Sequence, residues 1–246
     1  GDVYKRQLIC ARTKAKRWWT GGLGLLLSAV LLTGYFIPVS VPVMDLSAAS
    51  ETADTTYYGM NYKDCQKDEA ADFRVKKYQL DFSVGLNLTG RAKVYVDRSE
   101  LKSYRFTLYH GYKVKQVTDQ TGAALDFRRE YDYVTVTRGG AAVEYLCLEY
   151  TGKSPKYYSS YAGVCLPANF AYYPIPGYRE LFKDNFYGFI DCSLPYDTAF
   201  DVRCSGRKQM YCNLAARGDN HFAGNARSIT PVSYTHLRAH ETEADL

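Results

Sequence analysis

Between Phe73 and Phe222 the apolar residues come in short runs that alternate with polar ones. That period of two dictates half-buried strands rather than helices. The runs are Phe73 to Val84, Ala92 to Val96, Tyr104 to Tyr109, Lys113 to Thr118, Tyr131 to Thr137 and Val143 to Tyr150, then Phe186 to Cys192, Ala199 to Cys204, Gln209 to Leu214 and His221 to Phe222. Turn-forming clusters separate them at Asn87-Leu-Thr-Gly90, Asp119-Gln-Thr-Gly122, Arg138-Gly-Gly140 and Thr151-Gly-Lys-Ser-Pro155. Distant strands must pair to bury their apolar faces, so the expected fold class is all-β, an antiparallel β-sandwich or saddle domain over 73–231. The composition agrees, because 24 tyrosines and 15% aromatic residues suit a half-buried pleated surface. With 46% apolar and 23% charged residues, the chain is not a disordered polymer.

One stretch has a different character. From Trp18 to Ile37 the sequence WWTGGLGLLLSAVLLTGYFI carries no charge, and its length matches the roughly 20 residues that cross a bilayer core as a helix. Trp18 with Trp19 and Tyr35 with Phe36 mark the two interfaces, and Pro38 and Pro42 stop the helix. Arg12, Lys14, Lys16 and Arg17 precede it, whereas Asp45, Glu51 and Asp54 follow. The positive-inside rule therefore places the N-terminal side in the cytoplasm and the β-domain outside the cell membrane. The expected organisation is a basic flank and one transmembrane α-helix over 8–45, a polar linker over 46–72 and then the β-domain. A signal peptide cleaved near Ser47-Ala48-Ala49 is the competing expectation, and the length of the apolar stretch counts against it.

The termini are expected to be foreign. Residues 1–7 (GDVYKRQ) resemble the translation of a sequencing adapter, and VSYTHLRAHET from Val232 resembles its reverse complement in another frame. Residues 1–7 and 232–246 are accordingly set aside as adapter artefact, which leaves Leu8 to Pro231 as the natural segment. His236 and His240 leave with the tail, and His110 and His221 remain.

The order of the strands and their connections resembles the N-terminal β-domain of the aminopeptidase N family of zinc metallopeptidases. The pieces are YQLDFSVGLNLTGRAKVYV (78–96), FTLYHG (106–111), VKQVTDQTGAAL (114–125), LEYTG (148–152), VCLPANFAYYPIPG (164–177) and His221-Phe-Ala-Gly224. A basic-flanked membrane helix directly before such a domain is similar to bacterial members in which it is fused to an ABC-transporter permease. The resemblance implies downstream peptidase-like or permease partners and an ABC ATPase subunit, with the bilayer itself as a further partner. The His-Glu-x-x-His helix, the later glutamate and the Gly-x-Met-Glu-Asn loop of the family enzymes are absent from these residues. Zinc is thus implied only if a downstream catalytic domain exists, and no catalytic, cofactor-binding or metal residue is assigned here.

Three functional readings follow. The leading one is a membrane-tethered, extracytoplasmic, non-catalytic β-domain of such a permease. The alternatives are the N-terminal domain of a membrane-bound zinc aminopeptidase, and a surface module that binds peptide or glycan. For the last, the possible recognition surface is Tyr161, Phe170, Tyr172, Tyr173 and Tyr178, in a connection that also holds Tyr157 and Tyr158. The same rings can instead cover the open end of a sheet and pack with Pro167, Pro174 and Pro176.

Other features carry less. The seven cysteines include no Cys-x-x-Cys pair, and the six beyond the apolar stretch permit up to three disulfides, although Cys147 sits in an apolar strand where burial alone explains it. His110 or His221 could serve a Cys/His pair only beside an activated thiolate. Glu144 and Glu149 point to opposite faces of one strand, which does not suit paired acid–base work. Basic residues are scattered without a dense stripe, so nucleic acid is not an expected partner.

Overall fold

This computed structural model describes residues 25–29, 53–85, 87–154, 163–183, 188–206 and 209–234. The chain divides into two compact units, Gly1–Val39 and Ser40–Leu246. In the first, residues 25–29 are helical, with Leu25, Leu26 and Leu27 exposed. Among the described residues no helix is long and apolar enough to cross a membrane. Apart from that short helical piece, the expected span from Trp18 to Ile37 lies outside the described residues.

The second unit is mostly β. A short helix, α1 (Ala53–Met60), precedes β1 (Val75–Val84), β2 (Leu88–Val96), β3 (Ser103–Thr107), β4 (Tyr112–Thr118), β5 (Phe127–Glu130), β6 (Tyr133–Thr137) and β7 (Tyr145–Gly152). Then come β8 (Gly163–Cys165), β9 (Ile175–Pro176), β10 (Phe182–Lys183), β11 (Gly188–Phe189), β12 (Thr198–Ser205), β13 (Ala215–Gly218), β14 (His221–Ala226) and β15 (Val232–Tyr234). Seven strands form one sheet in the order β13-β14-β12-β1-β2-β7-β4, and four form a second in the order β5-β6-β3-β9. Along β1 and β2 buried and exposed residues alternate, so one face of the large sheet turns to the core. A single apolar cluster includes Leu80, Phe82 and Val94 of the large sheet together with Phe106, Val134 and Val136 of the small one.

Four expectations need correction. The central pairing of β1 with β12 is parallel, Lys77 facing Ala199 through Ser83 facing Ser205. Parallel neighbours require a long crossover, and here the second sheet and the tyrosine-rich connection supply it. Asn87-Leu-Thr-Gly90 is not a free turn, because β2 already starts at Leu88. Gly90 belongs in that strand for a packing reason: a Cβ there would stand 2.3 Å from Cζ of Tyr150. Gln209 to Leu214 forms no strand but a single bridge, Tyr211 to Val232, with Met210 and Leu214 buried. Finally, the body exceeds both expected boundaries. Within the supposed linker, α1 forms and Asp54, Tyr58 and Cys65 are buried, while Val232–Tyr234 pairs antiparallel with β8 beyond Pro231.

Tyrosines fill much of the interior, and buried hydroxyls need partners. Tyr78 donates to the carbonyl of Pro174 at 2.8 Å, Tyr150 to that of Tyr172 at 2.8 Å and Tyr172 to that of Ile229 at 2.6 Å. Each bond runs from a strand or core ring to a main-chain carbonyl of a connection. The rings thereby pin irregular backbone to the sheets.

Candidate functional site

A polar buried region with Asp54 and Asp132 lies where α1 meets the turns that follow β3 and β5. Tyr109, His110 and Gly111 make the β3–β4 turn, closed by the Tyr112 N–H donating to the Tyr109 carbonyl at 3.0 Å. Gly111 is required there, since a Cβ would stand 2.3 Å from Cε1 of Tyr109 and 2.8 Å from the Lys153 carbonyl oxygen. Tyr131, at φ 52°, and Asp132 make the β5–β6 turn. The two turns are tied twice: Leu108 N–H donates to the Asp132 carbonyl at 2.8 Å, and His110 N–H donates to Asp132 Oδ1 at 2.7 Å.

The His110 ring lies between two carboxylates. Its Nδ1 is 3.3 Å from Asp132 Oδ1, and its Nε2 is 3.6 Å from Asp54 Oδ1. The Tyr109 hydroxyl donates to the same Asp54 oxygen at 2.6 Å. Tyr57 stacks flat on the imidazole, and Tyr58 meets it edge-on at 5.3 Å. Burial raises the Asp54 carboxyl above its usual range, partly offset by the Tyr109 bond and the His110 charge. Arg129 reaches in from β5, where Nη2 donates to the carbonyls of Leu108 and Tyr109, each at 2.9 Å. Burial also lowers its guanidinium pKa, with Asp132 opposing that shift.

These groups resemble an acid–base constellation by type, but their bonds tie α1 and the two turns together. Both ring nitrogens of His110 face carboxylates, Asp132 Oδ1 takes a main-chain N–H and Arg129 Nη2 caps carbonyls, while the buried Asp132 Oδ2 and Arg129 Nη1 make no hydrogen bond among the described residues. The neighbouring thiol does not supply a nucleophile either. Burial pushes Cys65 up to about 12, with Asp132 adding to the shift, so it is protonated at neutral pH. His221 sits elsewhere, its Nε2 2.9 Å from Asp201 Oδ1 on the adjacent strand β12. All six cysteines of the second unit are free thiols. Among the described residues no three His, Cys, Asp or Glu side chains are placed to hold a metal ion.

The tyrosine-rich connection divides. Phe170, Tyr172 and Tyr173 are buried, so as placed they present no ring face for recognition. Tyr173 stands edge-on to Tyr78 and to Phe200 of β12. Tyr178 is half-buried; its main chain exchanges two 2.8 Å bonds with Glu69, and Lys67 and Arg105 lie over its ring. Tyr161, with Tyr157 and Tyr158, lies outside the described residues. Sequence patterns missed Asp54, Tyr57, Tyr58 and Asp132. The one available signal was the acidic residue and paired aromatics of DTTYY at the start of α1.

No protein-family model and no curated protein matches the chain. Among solved structures its neighbours include an M1 zinc metallopeptidase from Deinococcus radiodurans, at 13% identity and a TM-score of 0.44, over 69% of this chain and 44% of that one. Yeast LTA4 hydrolase in complex with bestatin is similar at 13% identity and a TM-score of 0.45, over 70% of this chain and 29% of that one. The native yeast enzyme gives 10% identity and a TM-score of 0.44, over 69% and 30%. The chain thus spans less than half the length of these neighbours.

Proposed function

We propose that the chain is a non-catalytic, extracytoplasmic β-domain tethered to the membrane through Trp18 to Ile37, part of an ABC-transporter permease with an aminopeptidase-like exterior. In that setting it packs against a downstream domain and shapes access to it. One observation carries the non-catalytic part: the hydrogen bonds made by the Tyr109 hydroxyl, by Asp132 Oδ1 and by Arg129 Nη2 all run to α1 or to a turn, so this cluster clasps the helix to the β-body. A clasp that fixes α1 to the β-body suits a domain that must hold one orientation to its partner. The sequence resemblance supplies the permease setting, and the charge asymmetry around the apolar stretch supplies the topology.

The experiment is a cleavage assay. A site for a specific protease is inserted between Ala49 and Ser50, and the full chain is expressed in a Gram-negative bacterium and converted to spheroplasts. Protease added outside should release the β-body into the medium while a cytoplasmic marker stays intact. Release only after lysis would end the extracytoplasmic reading. Retained aminopeptidase activity of the purified chain, scaling with protein and lost in H110A, would end the non-catalytic one.

A further inference from the structure

Beside the start of β1, the structure holds a cavity of about 210 Å³ with two arginines and no acidic side chain in its lining. Phe73, Pro176, Pro195 and Tyr196 provide apolar walls, and Arg74 and Arg179 provide the charge. Among the described residues neither arginine forms an ion pair with a carboxylate. Both are held in place without one. The Arg74 guanidinium lies over the Tyr196 ring, 4.7 Å from its centroid, and that ring is fixed by the Val75 N–H donating to its hydroxyl oxygen at 3.0 Å. Asp97 Oδ1 takes the main-chain N–H of Arg74, at 2.7 Å. Arg179 donates through Nη1 to the Ser193 carbonyl at 3.0 Å, while its main-chain N–H donates to Thr107 Oγ1 at 2.9 Å. The remaining edge of its fork makes no hydrogen bond among the described residues.

We propose that this cavity binds a small organic carboxylate with an apolar body, the chemistry shared by the C-terminal residue of a peptide and a free aromatic acid. Guanidinium forks match the planar carboxylate in geometry and charge. Two cations beside low-dielectric walls attract an anion more strongly than they would in open water. The volume falls below the roughly 300–1,000 Å³ of pockets for drug-sized ligands, so the occupant is about one residue in size. A phosphate dianion fits less well, since its third face would meet proline and phenylalanine with no donor. The inference does not depend on the proposed membrane setting.

The test titrates the full chain in detergent micelles with N-acetyl-L-phenylalanine, followed by calorimetry. Saturable binding is expected, at least tenfold weaker for the corresponding amide, for acetate and for inorganic phosphate. R74Q removes an exposed side chain and should weaken binding at least tenfold without changing the thermal midpoint. R179Q should do the same, and an unfolding curve checks that it remains folded. Absence of saturable binding, equal binding of the amide or of phosphate, or unchanged affinity in R74Q would overturn the proposal. Peptides ending in phenylalanine, free or amidated at the C-terminus, then identify the source. Binding of the free-ended peptide as tight as that of the acetylated residue supports a peptide terminus, and binding of the acetylated residue alone supports a free acid.

Discussion

The imidazole of His110 lies flat on the phenol ring of Tyr57, with centroids 3.5 Å apart and planes 10° from parallel. That stack joins α1 to a turn fifty-odd residues later, and the Asp54 and Asp132 carboxylates flank it. H110A removes the ring that both carboxylates face and its stack on Tyr57, and should cost about 1–3 kcal/mol, as expected when a buried polar group loses its partner. Urea unfolding measures the loss. Hydrogen exchange should show α1 amides opening before those of β12.

Asp54 makes the same clasp sensitive to pH. Its carboxyl is raised by burial, lowered by the Tyr109 bond and His110, and raised again by Asp132, with the net shift upward. The folded protein therefore binds this proton more tightly than the unfolded chain does. The resulting stability is complete below the ordinary carboxylate pKa and fades as pH climbs through the raised value. Thermal midpoints of D54N against pH should lack that decline, and a D54N profile parallel to the parent's would refute the assignment.

Gly90 and Tyr150 fit as a pair. G90A would drive a methyl group into a ring that is fully buried and anchored through its hydroxyl, so a loss of about 1–3 kcal/mol is expected. Y150F keeps the ring, leaves the Tyr172 carbonyl short of a donor and should cost about 1 kcal/mol. A double variant, G90A with Y150A, recovers part of the glycine penalty if the collision is its cause.

Thiol chemistry should report the same interior. Cys65, Cys192 and Cys204 are each pushed up to about 12 by burial. At pH 8 each is thiolate in roughly one molecule in ten thousand, so alkylation of the native protein is slow at all three. Urea should release them together, and peptide mapping after a short iodoacetamide pulse distinguishes them from Cys165 and Cys212.

Y172A should unfold the protein by about 3–5 kcal/mol, as is usual for a truncated core aromatic. Loss of ligand binding in that variant with unchanged stability would restore a recognition role for this ring.

Period-two alternation located β1, β3, β4, β6, β7 and β12 to within a few residues, because one face of each is dry and the pattern records it. It missed β5, whose FRRE sequence sits at the edge of the small sheet where nothing forces alternation. It also missed α1, eight residues with only a weak amphipathic pattern. The His110 clasp was illegible for another reason. Asp54, His110 and Asp132 are adjacent only through folding, and each is an ordinary polar residue in its own neighbourhood of the sequence. The tyrosine-rich connection was visible as a cluster, but composition alone does not say which way a ring points.

The parallel junction between β1 and β12 sets a schedule for biogenesis. During synthesis or export β1 emerges with β2 to cover one edge, yet its other edge waits until Thr198–Ser205 arrives more than a hundred residues later. Throughout that interval a nascent chain presents unpaired backbone of the kind that recruits other chains. A chaperone that masks extended segments would find its customer here, and slowing translation after residue 150 should aggravate aggregation rather than relieve it.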